Sequence, residues 1–340
     1  MKSVVTFGEL MLKLSPQGYA RFVQSNLFNV EYSGAEANVA VSLSNFGMSV
    51  RYVTALPKHT LGDAAINNIR QFGVDTTFVL RNDKRLGIYF AEKGASQRPS
   101  KVIYDRTDSA IANTDISDFD WNAIFEDVEW FHFTGITPAL SDGLAQICLE
   151  ACRIAKSKGI TISCDLNYRK KLWGHEKAGE VMSELCQYVD VCIANEEDAS
   201  DVFGITAENN DINSGVIDSK SYVSVAIQLQ QRFGFKKVAI TLRESISASD
   251  NNWSAILYDG EQVYKSRKYT IHIVDRIGGG DSFGAGLIYG LTQYGEPQKA
   301  LDFAVAASCL KQTIEGDFNL VSKSEVEDLM KGNISGRIQR

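Results

Sequence analysis

Apolar positions along this chain form two kinds of run. Short unbroken runs bounded by glycine or polar residues predict buried strands, and longer runs with three- and four-residue spacing predict helices. Residues 4–7 read as a strand ending at Gly8, 35–46 as a helix stopped by Gly47, and 50–55 as the next strand. Beyond residue 130 the alternation becomes regular. Strands at 130–134, 160–164, 189–194 and 237–242 interleave with helices at 141–158, 175–188, 196–203 and 222–232. Ser141 is a suitable N-cap and Gly159 a suitable stop for the first of these helices. The polar stretch 207–220 reads as loop, and strands at 253–257 and 263–273 need not be parallel. The chain is helical beyond Asp281, including an apolar pattern over 298–313. This order predicts an α/β fold: a mainly parallel sheet, helices on both faces, and ligands at the strand carboxyl ends.

Two segments break the alternation. Residues 11–14 and 28–32, and then 87–91 and 101–104 around a polar loop at 92–100, alternate with a period of two. They predict a small antiparallel sheet inserted beside the main one. Its natural role is a lid, formed by segments at about 10–32 and 86–106. No repeat or linker divides the chain, so residues 1–340 read as one domain.

Composition narrows the function. Of 340 residues, 44% are hydrophobic and 23% charged, which is ordinary for a globular protein. The net charge of −7 argues against nucleic acid as a partner. No apolar run reaches the ~20 residues of a membrane helix. Glu9 and Lys13 interrupt any export signal, so the expected location is the cytoplasm. Six cysteines show no CxxC pair; Cys148 and Cys152, four apart on a helix, read as small buried apolar residues.

The stretch 273–286, IVDRIGGGDSFGAG, carries the chemistry. Three glycines let successive N–H groups turn into one concavity, and the helix that follows adds its unpaired N–H groups and positive end. That combination favours an anion, most commonly phosphate. Asp281, at the mouth of the helix, can cap it or accept a proton from a hydroxyl held against the phosphate. A P-loop lysine is absent, and Phe283 occupies the third glycine position of a dinucleotide fingerprint.

GGGDSFGAG at 278–286 resembles the carboxyl-terminal signature of the ribokinase-like (PfkB) sugar kinases, and SGAEANVA at 33–40 resembles their sugar-binding signature. DLNYR at 165–169, NEED at 195–198 and EGDFN at 315–319 match in the family's order. GELMLKLSP, FTGIT, DLNYR, DRIGGGD and EGDFN are most similar to the 2-keto-3-deoxygluconate kinases. The resemblance implies a ribokinase-like fold and ATP-dependent phosphorylation of a sugar or sugar acid. It implies that Asp281 acts as base and that Gly278, Gly279 and Gly280 hold the transferring phosphoryl group. Gly34 and Asn38 would contact substrate hydroxyls, and Asp317 a distal one. Asn167 and Asn195 would serve the nucleotide. Asp198 replaces the glutamate that ends the family's NxxE element, which places the Mg2+ role, through water, on Asp198 or Glu197. The segment 241–245, TLRES, lacks the family's Lys-x-G-x-x-G stretch.

A keto acid brings a carboxylate into a partly dry site, where a guanidinium fork is the natural partner. Arg106 and Arg169 fill that role in the resemblance, with Tyr89 and Tyr104 completing the wall; Arg169 is also suited to an ATP phosphate. The alternatives are a fructokinase or another neutral-sugar kinase, and a sugar- or nucleotide-sensing protein without transfer. Exposed apolar residues on the inserted sheet would suit a homo-oligomer paired through the lid.

Overall fold

The protein is described by a computed structural model, over residues 3–195, 197–206 and 219–332. Among these residues the early strands are β1 (Ser3–Phe7), β2 (Met11–Pro16), β3 (Phe28–Ser33), β4 (Val50–Pro57), β5 (Val79–Asn82), β6 (Ile88–Glu92) and β7 (Lys101–Asp105). The later ones are β8 (Val128–Thr134), β9 (Thr161–Asp165), β10 (Val191–Ala194), β11 (Lys237–Ser245), β12 (Asp250–Tyr258), β13 (Val263–Lys265) and β14 (Tyr269–His272). The main sheet runs β13-β12-β11-β10-β9-β8-β1-β4-β5, with β14 against β12. Neighbours are parallel from β5 through β11, and β12 meets β11, β13 and β14 antiparallel.

Strands buried on both faces place apolar side chains on both, and β1 does so at Val4, Val5 and Phe7, with the small Ser3 and Thr6 buried beside them. Val5 and Phe7 join an apolar cluster with Phe131, Cys148 and Cys152, while Val4 joins the opposite cluster with Phe283 and Ala304. The first cluster lies under the helix Asp142–Ser157, whose Leu144 N–H donates to the Ser141 hydroxyl at 3.1 Å, as the N-cap reading expected. The second lies under the helices Gly279–Gln293 and Pro297–Lys311. All six cysteines are buried and unpaired. Among the described residues no helix is long and apolar enough to cross a membrane.

The inserted segments form their own four-stranded sheet in the order β3-β2-β6-β7. The expectation of an antiparallel sheet holds for β2–β3 and β6–β7, but β2 and β6 pair in parallel. Each insertion is a hairpin, and their first strands meet side by side. Two further expectations change. The strand expected over 263–273 is two strands, β13 and β14, and the helix expected from 196 begins at Asp198, Glu196 lying outside the described residues. Most of the loop expected at 207–220, residues 207–218, also lies outside them. The helix Thr60–Arg70 and strand β5 were not anticipated.

Candidate active site

A cavity of about 510 Å³ opens where the carboxyl ends of β9, β10 and β11 face the small sheet. All fifteen residues singled out in the sequence line it: Gly34, Asn38, Tyr89, Tyr104, Arg106, Asn167, Arg169, Asn195, Glu197, Asp198, Gly278, Gly279, Gly280, Asp281 and Asp317. Residues separated by up to 283 positions in the chain therefore share one wall.

The glycine turn is built as the chemistry requires. Gly278 has φ +82°, and a Cβ there would lie 2.0 Å from the Asp317 carbonyl oxygen, so only glycine fits. It caps the helix Gly279–Gln293. The Gly279 N–H turns back to the Arg276 carbonyl at 3.2 Å, whereas those of Gly278, Gly280 and Asp281 have no main-chain acceptor among the described residues. Three N–H groups thus remain for an anion. Asp281 stands in the first helical turn, partly open to the cavity. Loss of water on its protein side raises its pKa to about 6; the Asn38 hydrogen bond and Arg169 limit that rise. Asn38 Nδ2 donates to Asp281 Oδ2 at 2.6 Å, so Asn38 aims the carboxylate.

At the other end, Gly34 precedes the helix Ala35–Asn45, and a Cβ there would lie 1.8 Å from the Glu9 carbonyl oxygen. Asp317 is held from three sides. Lys13 Nζ donates to it at 2.5 Å, the Ser33 hydroxyl at 2.6 Å, and the Tyr89 hydroxyl also donates to it. Burial opposes its charge, but Lys13 and these hydrogen bonds win and hold its pKa below the usual carboxylate range. Lys13 also pairs with Glu31 at 2.8 Å. The rings of Tyr89 and Tyr104 lie 5.9 Å apart, and the Arg106 guanidinium lies 5.3 Å from the Tyr104 centroid. Arg106 is buried, and its Nε and Nη2 both bond Glu9 Oε2. Glu9, which sequence reading passed over except as an interruption of apolar sequence, thus neutralises the arginine assigned to a substrate carboxylate.

The third wall gathers acids and arginines. Both oxygens of the buried Asp198 accept main-chain N–H groups, from Tyr168 and Asn195, each at 3.0 Å. The Asn195 side chain caps Glu197 and Asp198 in return, at 2.8 and 3.0 Å. Asp198 therefore ties the ends of β9 and β10 together, and Glu197 is the exposed acid of the pair. Asp165 joins the same wall; burial, followed by the charges of Asp198 and Asp281, pushes its pKa well up. Asn167 adopts φ +39° beside it, and Arg169 Nη1 donates to the Tyr168 carbonyl at 3.0 Å. From β11, β12 and the glycine turn come Arg243, Asn251, Trp253 and Arg276, none of them assigned from the sequence. Burial, then the neighbouring charge of Arg243, lowers the Arg276 pKa. Among the described residues, the buried Asn251 amide has no hydrogen-bond partner at either polar atom. No cluster of three metal-ligating residues exists among the described residues. With a main-chain donor on each Asp198 oxygen, Asp198 and Glu197 would suit a metal ion held through its water shell better than one bound directly.

The pattern of the pfkB family carbohydrate kinases fits residues 1–321. The chain belongs to this family. It is a carbohydrate kinase with the ribokinase-like fold. It is 33% identical to the 2-dehydro-3-deoxygalactonokinase of Haloferax volcanii over 334 residues, 98% of each chain. The crystal structure of 2-dehydro-3-deoxygluconokinase from Thermotoga maritima superposes with TM-score 0.93, at 50% identity, covering 97% of this kinase and 98% of that chain. A fructokinase with bound ATP from Xylella fastidiosa, at 22% identity and TM-score 0.76, covering 97% of this chain and 98% of its own, shares the fold.

Proposed function

We propose that this kinase transfers the terminal phosphoryl group of ATP to the 6-hydroxyl of 2-keto-3-deoxygluconate. The observation that carries the reading is the Asn38–Asp281 pair at the open N–H groups of the glycine turn. Asp281 takes the hydroxyl proton, the freed oxygen bonds the phosphorus, and ADP leaves with the electrons of the broken P–O bond. A carboxylate with pKa about 6 is ionised at neutral pH yet basic enough to help. The N–H groups of Gly278, Gly280 and Asp281 take up the charge on the phosphoryl oxygens.

The donor lies along Asn167, Asn195, Arg243 and Arg276, where two adjacent guanidiniums suit a polyphosphate. Glu197 and Asp198 would hold the Mg2+ of the nucleotide through water, and that ion would offset the charge of the phosphates. The sugar acid lies between Gly34, Asn38, Tyr89 and Tyr104. Arg169, without an ion pair among the described residues, provides the charge for the keto-acid carboxylate, and Arg106 adds its remaining edge beyond Glu9. The names of the two deoxy-sugar-acid kinases above support this class. The small sheet is the lid over the sugar, and a second copy packs against its exposed apolar residues, Val30 on β3 and Val23 and Leu27 in the segment joining β2 to β3, which are 61%, 92% and 66% exposed. The reaction takes place in the cytoplasm.

The deciding assay measures ADP release with 2-keto-3-deoxygluconate, its galactonate epimer, fructose and ribose. The gluconate form should give the highest kcat/KM. Preference for fructose or ribose would replace the acid-sugar reading, and ADP release with none would replace the kinase substrate assignment altogether.

A further inference from the structure

Lysine is almost never fully buried without a partner that offsets its charge. Lys311, the last residue of the helix Pro297–Lys311, has no solvent exposure. Among the described residues its Nζ makes one hydrogen bond, to the Asp275 carbonyl at 3.1 Å. It forms no ion pair among the described residues; the carboxylates of Asp275, Asp317 and Asp281 favour its charge from farther away, while burial and Lys13 oppose it. A methionine would fill the same space without the cost of drying an ammonium group. Packing alone therefore does not account for the lysine.

What the ammonium touches points to its use. Asp275 lies three residues before Gly278. The same helix end holds that turn twice more: the Ser308 hydroxyl donates to the Gly279 carbonyl at 2.7 Å, and the Gln312 carbonyl accepts the Val274 N–H at 2.9 Å. These three bonds fix the main chain on both sides of Gly278 from the protein side, and leave the N–H groups of Gly278, Gly280 and Asp281 without a main-chain acceptor among the described residues. The Asp275 carboxylate lies 3.8 Å from Lys13 and 3.6 Å from Lys93, so the ammonium at its carbonyl has no local carboxylate to itself.

We propose that Lys311 is a positioning residue that acts as a built-in cation beneath the glycine turn. It holds the Asp275 carbonyl so that the turn keeps its phosphoryl-binding shape, and its charge offsets the negative charge that builds during transfer. The proposal rests on the reading of this turn as the phosphoryl cradle.

Lys311→Met tests it by a split between kcat and KM. Displacement of the cradle should lower kcat by ~10²-fold, the scale of a ~1 Å misplacement. The sugar KM should stay within about threefold, since Lys311 does not line the cavity. Ammonium or methylammonium ions should restore part of the lost kcat, and tetramethylammonium should not. Ser308→Ala, which removes a tether but no charge, should lose less activity and gain nothing from ammonium. Normal kcat in folded Lys311→Met, or a loss that ammonium leaves untouched, would overturn the proposal. Should Lys311→Met not fold, the wild-type protein decides. Its turnover should be equal in sodium, potassium and tetramethylammonium chloride at one ionic strength, and a many-fold need for a small monovalent cation would refute a built-in one. Asp281→Asn, run alongside, separates the two readings. If it turns over normally, the cradle reading itself fails; if it is inactive while Lys311→Met is normal, only the role of Lys311 fails.

Discussion

Removing the Asn38 amide should move the acid limb of the pH profile upward. Asn38 Nδ2 donates to Asp281 Oδ2 at 2.6 Å, and that bond favours the charged carboxylate against the burial that raises its pKa to about 6. A hydrogen bond to a charged group contributes ~1.5–3 kcal/mol, or about 1–2 pKa units before any water enters in its place. Water from the open cavity restores part of this, leaving a rise of roughly one unit in Asn38→Ala. The sign follows directly: loss of a donor to the anion favours the protonated form, so the base is lost at a higher pH. At pH 6.5 the ionised fraction should fall from about three quarters to about one quarter, while both proteins reach a plateau above pH ~8.5. The assay is kcat/KM for the sugar acid at saturating MgATP from pH 5 to 9, because kcat/KM follows groups of the enzyme before the sugar binds. A limb that stays in place, or moves to lower pH, would refute the assignment of that limb to Asp281 and the aiming role of Asn38.

Three further substitutions probe separate parts of the site. Asp281→Asn should leave the fold intact and lower turnover by ~10²- to 10⁴-fold in the ADP-release assay, the usual loss for a general base. Arg169→Ala should raise KM for the keto acid by ~10-fold or more while changing that for a neutral ketose little, since a charge-assisted pair is worth ~1.5–3 kcal/mol; equal losses on both would reject the pairing. Lys13→Met should leave the buried Asp317 without its ammonium partner and cost ~3–5 kcal/mol, read as a lower urea midpoint with unchanged slope.

The parts of the site legible in the sequence were those whose chemistry is local. A glycine turn running into a helix carries its own phosphate logic, and Asp281 stands beside it. The α/β order was readable because buried parallel strands such as β1 carry short apolar runs, Val4-Val5 and Phe7 here, whatever they pair with. Long-range pairings were not readable. Nothing in Met11–Pro16 or Ile88–Glu92 announces that these strands meet in parallel, since each hairpin satisfies its own period of two. The bond between Arg106 and Glu9 spans 97 positions, so Arg106 looked available for a ligand. Asp198 looked like a shortened metal acid; its main-chain partners Tyr168 and Asn195 became apparent only when β9 and β10 lay side by side. The helix Thr60–Arg70 was obscured because its buried face is narrow, with only Gly62, Ala65 and Ile69 buried. Lys311 sits in an apolar helical pattern that gives no hint of why a cation should end it.

The small sheet and the glycine turn also share a support that single motifs do not show. Lys13 and Lys93, from the inserted segments, both lie within 4 Å of Asp275, and Tyr89 and Ser33 both donate to Asp317. The small sheet is thereby fastened to the segments that carry Asp275 and Asp317, beside the glycine turn. Shape at one end of the cavity is physically tied to shape at the other.

The most direct measurement of the central claim is a crystal structure of the kinase with a non-hydrolysable ATP analogue, Mg2+ and 2-keto-3-deoxygluconate. The terminal phosphate should lie against the N–H groups of Gly278, Gly280 and Asp281, with the 6-hydroxyl ~2.6–3.2 Å from the Asp281 carboxylate. A terminal phosphate bound away from that turn, or a sugar whose hydroxyls all lie beyond reach of Asp281, would contradict the account.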